Sequence, residues 1–152
     1  MNTETLFAGK TVLVTGAAGT IGRALIRRLL DLGPARVVGL DNNESELFFL
    51  EETHAGRPFE AVLGDVRDRD KMNAAVRGAD IVFHSAALKH VPLCQRYPLE
   101  AVQTNILGMH NVLQAAIAAK VPRVVFTSSD KAVNPTNVMG ASKLMGEQLI
   151  AA

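Results

Sequence analysis

Disulfides, long apolar runs and a surplus of either charge are all missing from this sequence, and each absence excludes a class of protein. Cysteine occurs once, at Cys94, so no internal disulfide can form, which suits a reducing compartment. No apolar stretch approaches the roughly 20 residues needed to span a bilayer. The opening MNTETLFAGK lacks the basic-then-apolar pattern of a secretion signal. Sixteen Lys and Arg against 15 Asp and Glu leave a net charge of +1. That balance gives no electrostatic drive toward nucleic acid or an anionic membrane. The densest basic group, Arg23-Arg27-Arg28, has the spacing of a solvated helix face. There is no repeat, low-complexity tract or linker, and no metal-ligand spacing. The expectation is a soluble, cytoplasmic protein that binds neither metal nor nucleic acid and has no membrane segment.

What is present suits one globular domain: 152 residues, 48% hydrophobic and 20% charged. Strand, turn and helix recur. KTVLVTG, ARVVGLD, PFEAVLGD, DIVFHSAA and PRVVFTSS are short apolar runs that end in turn residues. Between them, TIGRALIRRLLDLG has apolar residues at helical spacing and is stopped by Gly33-Pro34. SELFFLEETHAG reads as a helix capped by Asn43 or Ser45, and RDKMNAAVRGA as one capped by Asp68. Residues 98–120 form a long helix with a bend near Gly108, and MGASKLMGEQLIAA, residues 139–152, begins another. Apolar strands alternating with helices indicate a parallel sheet covered on both faces. Right-handed crossovers then give a doubly wound α/β (Rossmann) fold with strand order 3-2-1-4-5.

VTGAAGTIG joins the first strand to the first helix, with Gly16, Gly19 and Gly22 three apart. The first glycine permits a tight turn, the second leaves room for a pyrophosphate, and the third lets the helix pack closely. Phosphates then lie on the helix N-terminus, where free N–H groups and the dipole favour negative charge. Asp41 ends the second strand, 19 residues after Gly22, and can accept from ribose hydroxyls while repelling a 2′-phosphate. Asn42-Asn43-Glu44 follow, with no nearby Lys or Arg in sequence, so NAD is favoured over NADP. The plainer alternative makes Asp41 a helix cap. Asp65, in GDVRD, is either an acceptor for the adenine amine, with Val66 against the ring, or a turn acid. Ser85, Ala86 and Ala87 are small enough for close passage of a cofactor backbone. Lys89 and His90 fall at the carboxyl edge of the sheet, where ligands of such folds bind.

Read alone, Asp130-Lys131 is a solvated ion pair, Met139 is core packing and Lys143 is a surface lysine. His54 reads as solvated and His110 as packing or capping within the long helix. Cys94 reads as a small buried side chain, and Asn134-Pro135 as a defined turn.

Together, TGAAGTIG, GDVRD, AALKHVP, TNILGMHNV and SSDKAVNPTNVMGASK resemble the extended short-chain dehydrogenase/reductases. More narrowly, they resemble the nucleotide-sugar 4,6-dehydratases of polysaccharide biosynthesis. The resemblance runs from about Gly9 onward. It implies NAD as cofactor, held by Gly16, Ala18, Gly19, Thr20, Ile21, Gly22, Asp41, Asn42, Asp65, Val66, Ala86, Ala87, Lys89, Asn105 and Lys143. It implies a UDP-N-acetylglucosamine-type substrate that is oxidised at carbon 4, dehydrated across carbons 5 and 6, and reduced at carbon 6. It implies roles for Ser129 on the carbon 4 oxygen, for Asp130 in giving a proton to the departing hydroxyl, and for Lys131 as the carbon 5 base. A lysine is a base only where burial or a second cation lowers its pKa. Lys143 resembles the lysine that binds the nicotinamide ribose.

Two positions depart from the wider pattern. Ser129 stands where the family usually has threonine. Met139 stands where the superfamily carries the tyrosine of YxxxK, and a thioether has no proton to transfer. A methionine-bearing subgroup, often fused to membrane-anchored regions, shares that residue. Asp130, or a water held by Ser129, then takes the first proton. Two other functions stay open: a sugar-nucleotide epimerase or reductase, and an NAD-binding module without turnover. A helix still running at Leu149-Ile150-Ala151-Ala152 reads as the front of a longer protein. On that expectation the family's C-terminal substrate region is absent, the chain alone has little activity, and the helices at 98–120 and from 139 onward form a homodimer.

Overall fold

The computed structural model describes residues 3–152, and the side chains from Thr5 onward. The chain starts with a short helix, α1 (Thr3–Phe7), which leads into strand β1 (Thr11–Thr15). Then α2 (Thr20–Leu30), β2 (Arg36–Asp41), α3 (Glu44–Thr53), β3 (Phe59–Leu63), α4 (Arg69–Ala75) and β4 (Ile81–His84) follow in turn. Two short helices, α5 (Val91–Arg96) and α6 (Pro98–Ala101), precede α7 (Gly108–Ala118), β5 (Arg123–Phe126) and α8 (Val138–Ala151). All five strands are parallel, in the order β3-β2-β1-β4-β5. The expected fold is borne out.

Strand alternation sorts the core onto two faces. Val12, Val14 and Val37 point toward Ile26, Leu29 and Leu30 of α2 and Leu47 and Leu50 of α3. Leu13, Val38, Leu40 and Val82 point the other way, toward Met72 of α4 and Val112, Ala115 and Ala116 of α7. The central strands are fully buried, so only side chains at strand ends and in the following loops reach solvent. That places the chemistry at the carboxyl edge of the sheet.

Caps explain several boundaries. Asn43, rather than Ser45, accepts from the Glu46 N–H and starts α3, and Asp68 accepts from the Lys71 N–H and starts α4. Asn137 accepts from the Gly140 N–H, so α8 begins one residue before the expected Met139. The single long helix expected over 98–120 is instead three pieces. A π-helical stretch, Val102–Leu107, sits between α6 and α7, and Gly108 marks its end. The wider turn is the physical form of the expected bend. Neither α1 nor α5 has a signal in the sequence reading. In α5 a proline occupies the first turn, where its missing N–H costs nothing.

Two histidines depart from expectation. His54 is 7% exposed, its ring edge-on to Phe59 at 5.5 Å, because the C-terminal end of α3 turns in beside β3. His110 lies on the outer face of α7 and is exposed. Cys94 is buried as expected. No described helix is long and apolar enough to cross a membrane.

Candidate functional site

A cleft of about 540 Å³ opens along the carboxyl edge of the sheet. Every strand contributes to its lining, from Gly16 after β1 to Asp41, Gly64 and Asp65, Ser85 to Lys89, and Thr127 to Ser129. Thr20, Ile21, Gly22, Asn42, Val66, Lys131, Met139 and Lys143 also line it. Most of the expected site residues therefore share one cavity.

The glycine turn has the anticipated form. Gly16 has φ +70°, and a Cβ there would lie 2.6 Å from the Ala86 backbone nitrogen, so neither the angle nor the space admits a side chain. A Cβ on Gly22 would run into the Gly16 carbonyl oxygen. At Gly19 the nearest obstruction is that same carbonyl at 3.3 Å, and the position otherwise opens into the cleft. Gly19 is also the cap residue of α2 and has no side-chain oxygen for the first-turn N–H groups. Those donors and the helix dipole remain available to an anion.

Ala18 does not line the cleft. Its N–H donates to Asp41 Oδ2 at 3.0 Å, while Asp41 Oδ1 accepts from the Asn43 N–H at 3.0 Å. Asp41 thus joins the glycine turn to Asn43, the residue that caps α3, and is not itself the cap; it also lines the cleft. Arg23, which the sequence reading left as a solvated residue, donates to the Ala18 carbonyl and pairs with Glu46.

Asp65 has the geometry of the turn acid, one of its two readings, and also lines the cleft. Its Oδ1 accepts from the Arg67 N–H, and its Oδ2 accepts from the Arg67 guanidinium at 2.7 Å and the Asn42 amide at 3.1 Å. Burial pushes this carboxyl up, but those bonds outweigh it and hold it below its ordinary value. Asp65 is the anchor of Arg67, which continues to Glu100 at 3.1 Å and bridges the β3 loop to α6. Arg67 and Glu100 both line the cleft, and sequence reasoning missed both, although Arg67 lies inside the quoted GDVRD.

Asn105 departs from expectation. It is 2% exposed and does not line the cleft. The π-helical turn swings its amide inward, where Oδ1 accepts from the Leu88 N–H at 2.8 Å and Nδ2 donates to the Leu88 carbonyl at 2.9 Å. Nδ2 also donates to Ser142 Oγ at 2.8 Å, which in turn donates to the Met139 carbonyl at 2.7 Å. Asn105 therefore ties the loop before Lys89 to the helix carrying Met139 and Lys143. His90 also stays out of the cleft, at the start of α5.

The strip after β5 is a compact turn. Ser129 Oγ donates to Asp130 Oδ1 at 3.0 Å, and Lys131 Nζ donates to the same oxygen at 3.3 Å. Asp130 is a further departure: its side chain is 85% exposed and faces out of the cleft, so only Ser129 and Lys131 line it. The Ser129 and Lys131 hydrogen bonds hold the Asp130 carboxyl below its ordinary value, the opposite of what a proton donor needs. Asn134, at φ 45°, turns the chain back, and the turn presses on α8 so closely that a Cβ on Gly140 would meet the Lys131 carbonyl oxygen.

Met139 is core packing, as the plain reading expects: it packs with Cys94 and Ala101 in a small apolar cluster, and it also lines the cleft. Lys143, one turn later, is not a surface residue. It is 5% exposed, donates from Nζ to the Thr127 carbonyl at 2.9 Å, and burial lowers its pKa to about 8. Among the described residues no cluster of His, Cys, Asp and Glu gathers to hold a metal ion.

A Rossmann sheet with this glycine turn, a strand-end acid and a lysine buried at the far end of the cleft defines a dinucleotide-binding domain of the extended short-chain dehydrogenase/reductase type. Residues 12–152 match the polysaccharide biosynthesis protein family, and the chain belongs to it. The proteins it resembles include ones named as nucleotide-sugar epimerases and a dehydratase. An uncharacterized membrane protein of Methanocaldococcus jannaschii is 46% identical over 94% of this chain and 43% of its own length. A UDP-glucose 4-epimerase of Rickettsia typhi is 42% identical over 97% of this chain and 44% of its own length. The chain thus spans less than half of these relatives.

Among solved structures, Pen from Bacillus thuringiensis superposes with a TM-score of 0.93 at 44% identity, covering 95% of this chain and 44% of that one. A UDP-glucose-4-epimerase from Stenotrophomonas maltophila with bound NAD and formylated UDP-arabinopyranose gives 0.83 at 32% identity, covering 93% and 48%. A dTDP-glucose 4,6-dehydratase from Streptomyces venezuelae with NAD bound gives 0.82 at 30%, covering 91% and 49%.

Proposed function

We propose that this chain is the NAD-binding part of a nucleotide-sugar 4,6-dehydratase that converts a UDP-N-acetylglucosamine-type substrate to a 4-keto-6-deoxy sugar nucleotide. The observation that carries the reading is the wall of the cleft. Ser129, Lys131 and Lys143 line it beside Met139, so polar groups suited to elimination surround a position that cannot move a proton.

The open first turn of α2 and the cradle at Gly19 fit a pyrophosphate, and Asp41 fits an adenosine ribose. Lys143, aimed into the cleft, fits the nicotinamide ribose. Bound there, NAD would supply a reversible hydride acceptor. The ionised Asp130 holds the Ser129 hydroxyl proton away from the cleft, which leaves Oγ lone pairs to accept from the carbon 4 hydroxyl. A ketone at carbon 4 acidifies the carbon 5 proton, and Lys131 takes it as a free amine once the first proton has neutralised Asp130, its ion-pair partner, and left Lys143 as a second cation lining the same cleft. The same ammonium then returns a proton to the hydroxyl leaving carbon 6, which releases one water. The carbon 4 hydroxyl proton, passed through Ser129 Oγ to Asp130, returns to carbon 5 as hydride returns to carbon 6, so the cycle balances. Asp130 thus takes the first proton, in place of the proton-donor role toward the leaving hydroxyl that the resemblance implies.

The relatives named as UDP-glucose 4-epimerases favour a second reading, an epimerase of the same superfamily. Incubating the full-length protein with UDP-N-acetylglucosamine and NAD and weighing the product separates the two. Dehydration lowers the mass by one water; epimerisation leaves it unchanged. A product of unchanged mass rejects the dehydratase.

A further inference from the structure

Lys143 is buried without an acid. Among the described residues no carboxylate lies within ion-pair distance of its ammonium. Its neighbours are a carbonyl, Thr127 O at 2.9 Å, and an aromatic face, the Phe126 ring, whose centroid is 4.7 Å from Nζ. A ring face attracts a cation through its quadrupole, most strongly where water is excluded.

The ring is itself held. His84 stacks on Phe126 with centroids 5.8 Å apart and planes inclined by 20°. His84 is fully buried and fixed by a 2.7 Å hydrogen bond between Nδ1 and Thr15 Oγ1. Burial, and then the charge of Lys143, lowers its pKa to about 3, so the imidazole stays neutral beside the ammonium. The remaining contact comes from α8. A Cβ on Gly146 would lie 2.8 Å from Phe126 Cζ and 3.0 Å from Cε1, so only glycine leaves space for the ring. Gly146 is three residues after Lys143, on the same helix face.

We propose that Phe126, clamped between the His84 imidazole and the backbone of Gly146, is a positioning residue that keeps the Lys143 ammonium charged and aimed into the cleft. The inference rests on the reading of Lys143 as the lysine that holds the cofactor. The platform spans β1, β4, β5 and α8, and so it locks the lysine to the sheet. Other charged groups act elsewhere or add positive charge. Lys131 and Lys89 line the same cleft, Asp130 faces outward to Lys131, and Glu147 is taken by Ser128. No acid on these elements substitutes for the ring.

The test is an NMR titration of Lys143 with labelled lysine side chains, the signal assigned by Lys143→Arg, without cofactor. Phe126→Leu keeps apolar bulk and removes the π face. The Lys143 midpoint should fall by about half to one pH unit. The alkaline limb of NAD binding should move down with it in Phe126→Leu. If Phe126→Leu titrates like the wild type, the platform is refuted. A shifted titration with unchanged NAD binding upholds the platform and rejects the cofactor role of Lys143. If Phe126→Leu does not fold, the wild type still decides. The Lys143 ε-methylene protons should be shifted upfield by the ring current, and unshifted signals overturn the placement.

Discussion

Asp41 is the residue where sequence and structure agree most usefully. Its place after Gly22 and the absence of adjacent basic residues pointed to a ribose and against a 2′-phosphate, and its carboxylate stands at the joint between the glycine turn and α3. Two like charges about 4 Å apart cost roughly 1 kcal/mol even in water and more in a cleft. NAD should therefore bind on the order of tenfold or more tighter than NADP in calorimetric titration. Equal or reversed affinity refutes the reading of Asp41. Met139 stands at the tyrosine position only on the resemblance; the sequence by itself gives its four-residue spacing to Lys143, which puts the two on one helix face. The burial of Lys143 was not legible, since a lysine in the second turn of a helix is exposed or enclosed according to what packs on it. Asp130 misled for a related reason. Its neighbours Ser129 and Lys131 were correctly read as a strip, but a tight 3₁₀ turn points adjacent side chains in different directions.

The π-helical stretch between α6 and α7 is an element-level device. An inserted residue widens the turn and rotates Asn105 into the protein, where its amide satisfies both backbone groups of Leu88 and reaches Ser142. Nothing in TNILGMHNV distinguishes this from an ordinary helix, because the local propensities are alike and the gain is made only by partners far along the chain. Asn105→Ala removes two backbone partners from a buried site and should destabilise by roughly 2–4 kcal/mol, each orphaned group costing about 1–3. Chemical denaturation measures that loss. NAD affinity should fall too, since the Ser85–Lys89 loop and α8 lose their tie. A destabilised variant that binds NAD normally rejects the role of Asn105 in shaping the cleft.

The whole molecule carries a pH dependence that no single element shows. His84 has a folded-state pKa of about 3 against 6.5 for a free histidine. Between those values the unfolded chain binds a proton that the native state refuses, so stability falls as pH drops below 6.5. The slope approaches about 1.4 kcal/mol per pH unit. On the alkaline side the slope has the same sign. Lys143 deprotonates near 8 when folded and near 10.5 when free, so stability rises as pH climbs between them. Urea midpoints at pH 7 and pH 5 should differ, and His84→Gln should flatten that difference; an undiminished slope in the variant removes His84 as its cause.

The fold and the cofactor end of the site were readable from the linear order of residues. Strand and helix periodicity, the glycine spacing, the strand-end acid and the strip from Ser129 to Lys143 are local patterns that survive without knowledge of partners. Asp65 to Arg67 and Asp130 to its neighbours are local bonds whose direction the turn geometry sets, whereas the internal role of Asn105 and the aromatic platform under Lys143 arise from contacts between residues distant in the chain. Such contacts exist only once packing has excluded water, when the lowest free energy belongs to whichever arrangement leaves the fewest buried polar groups unpaired.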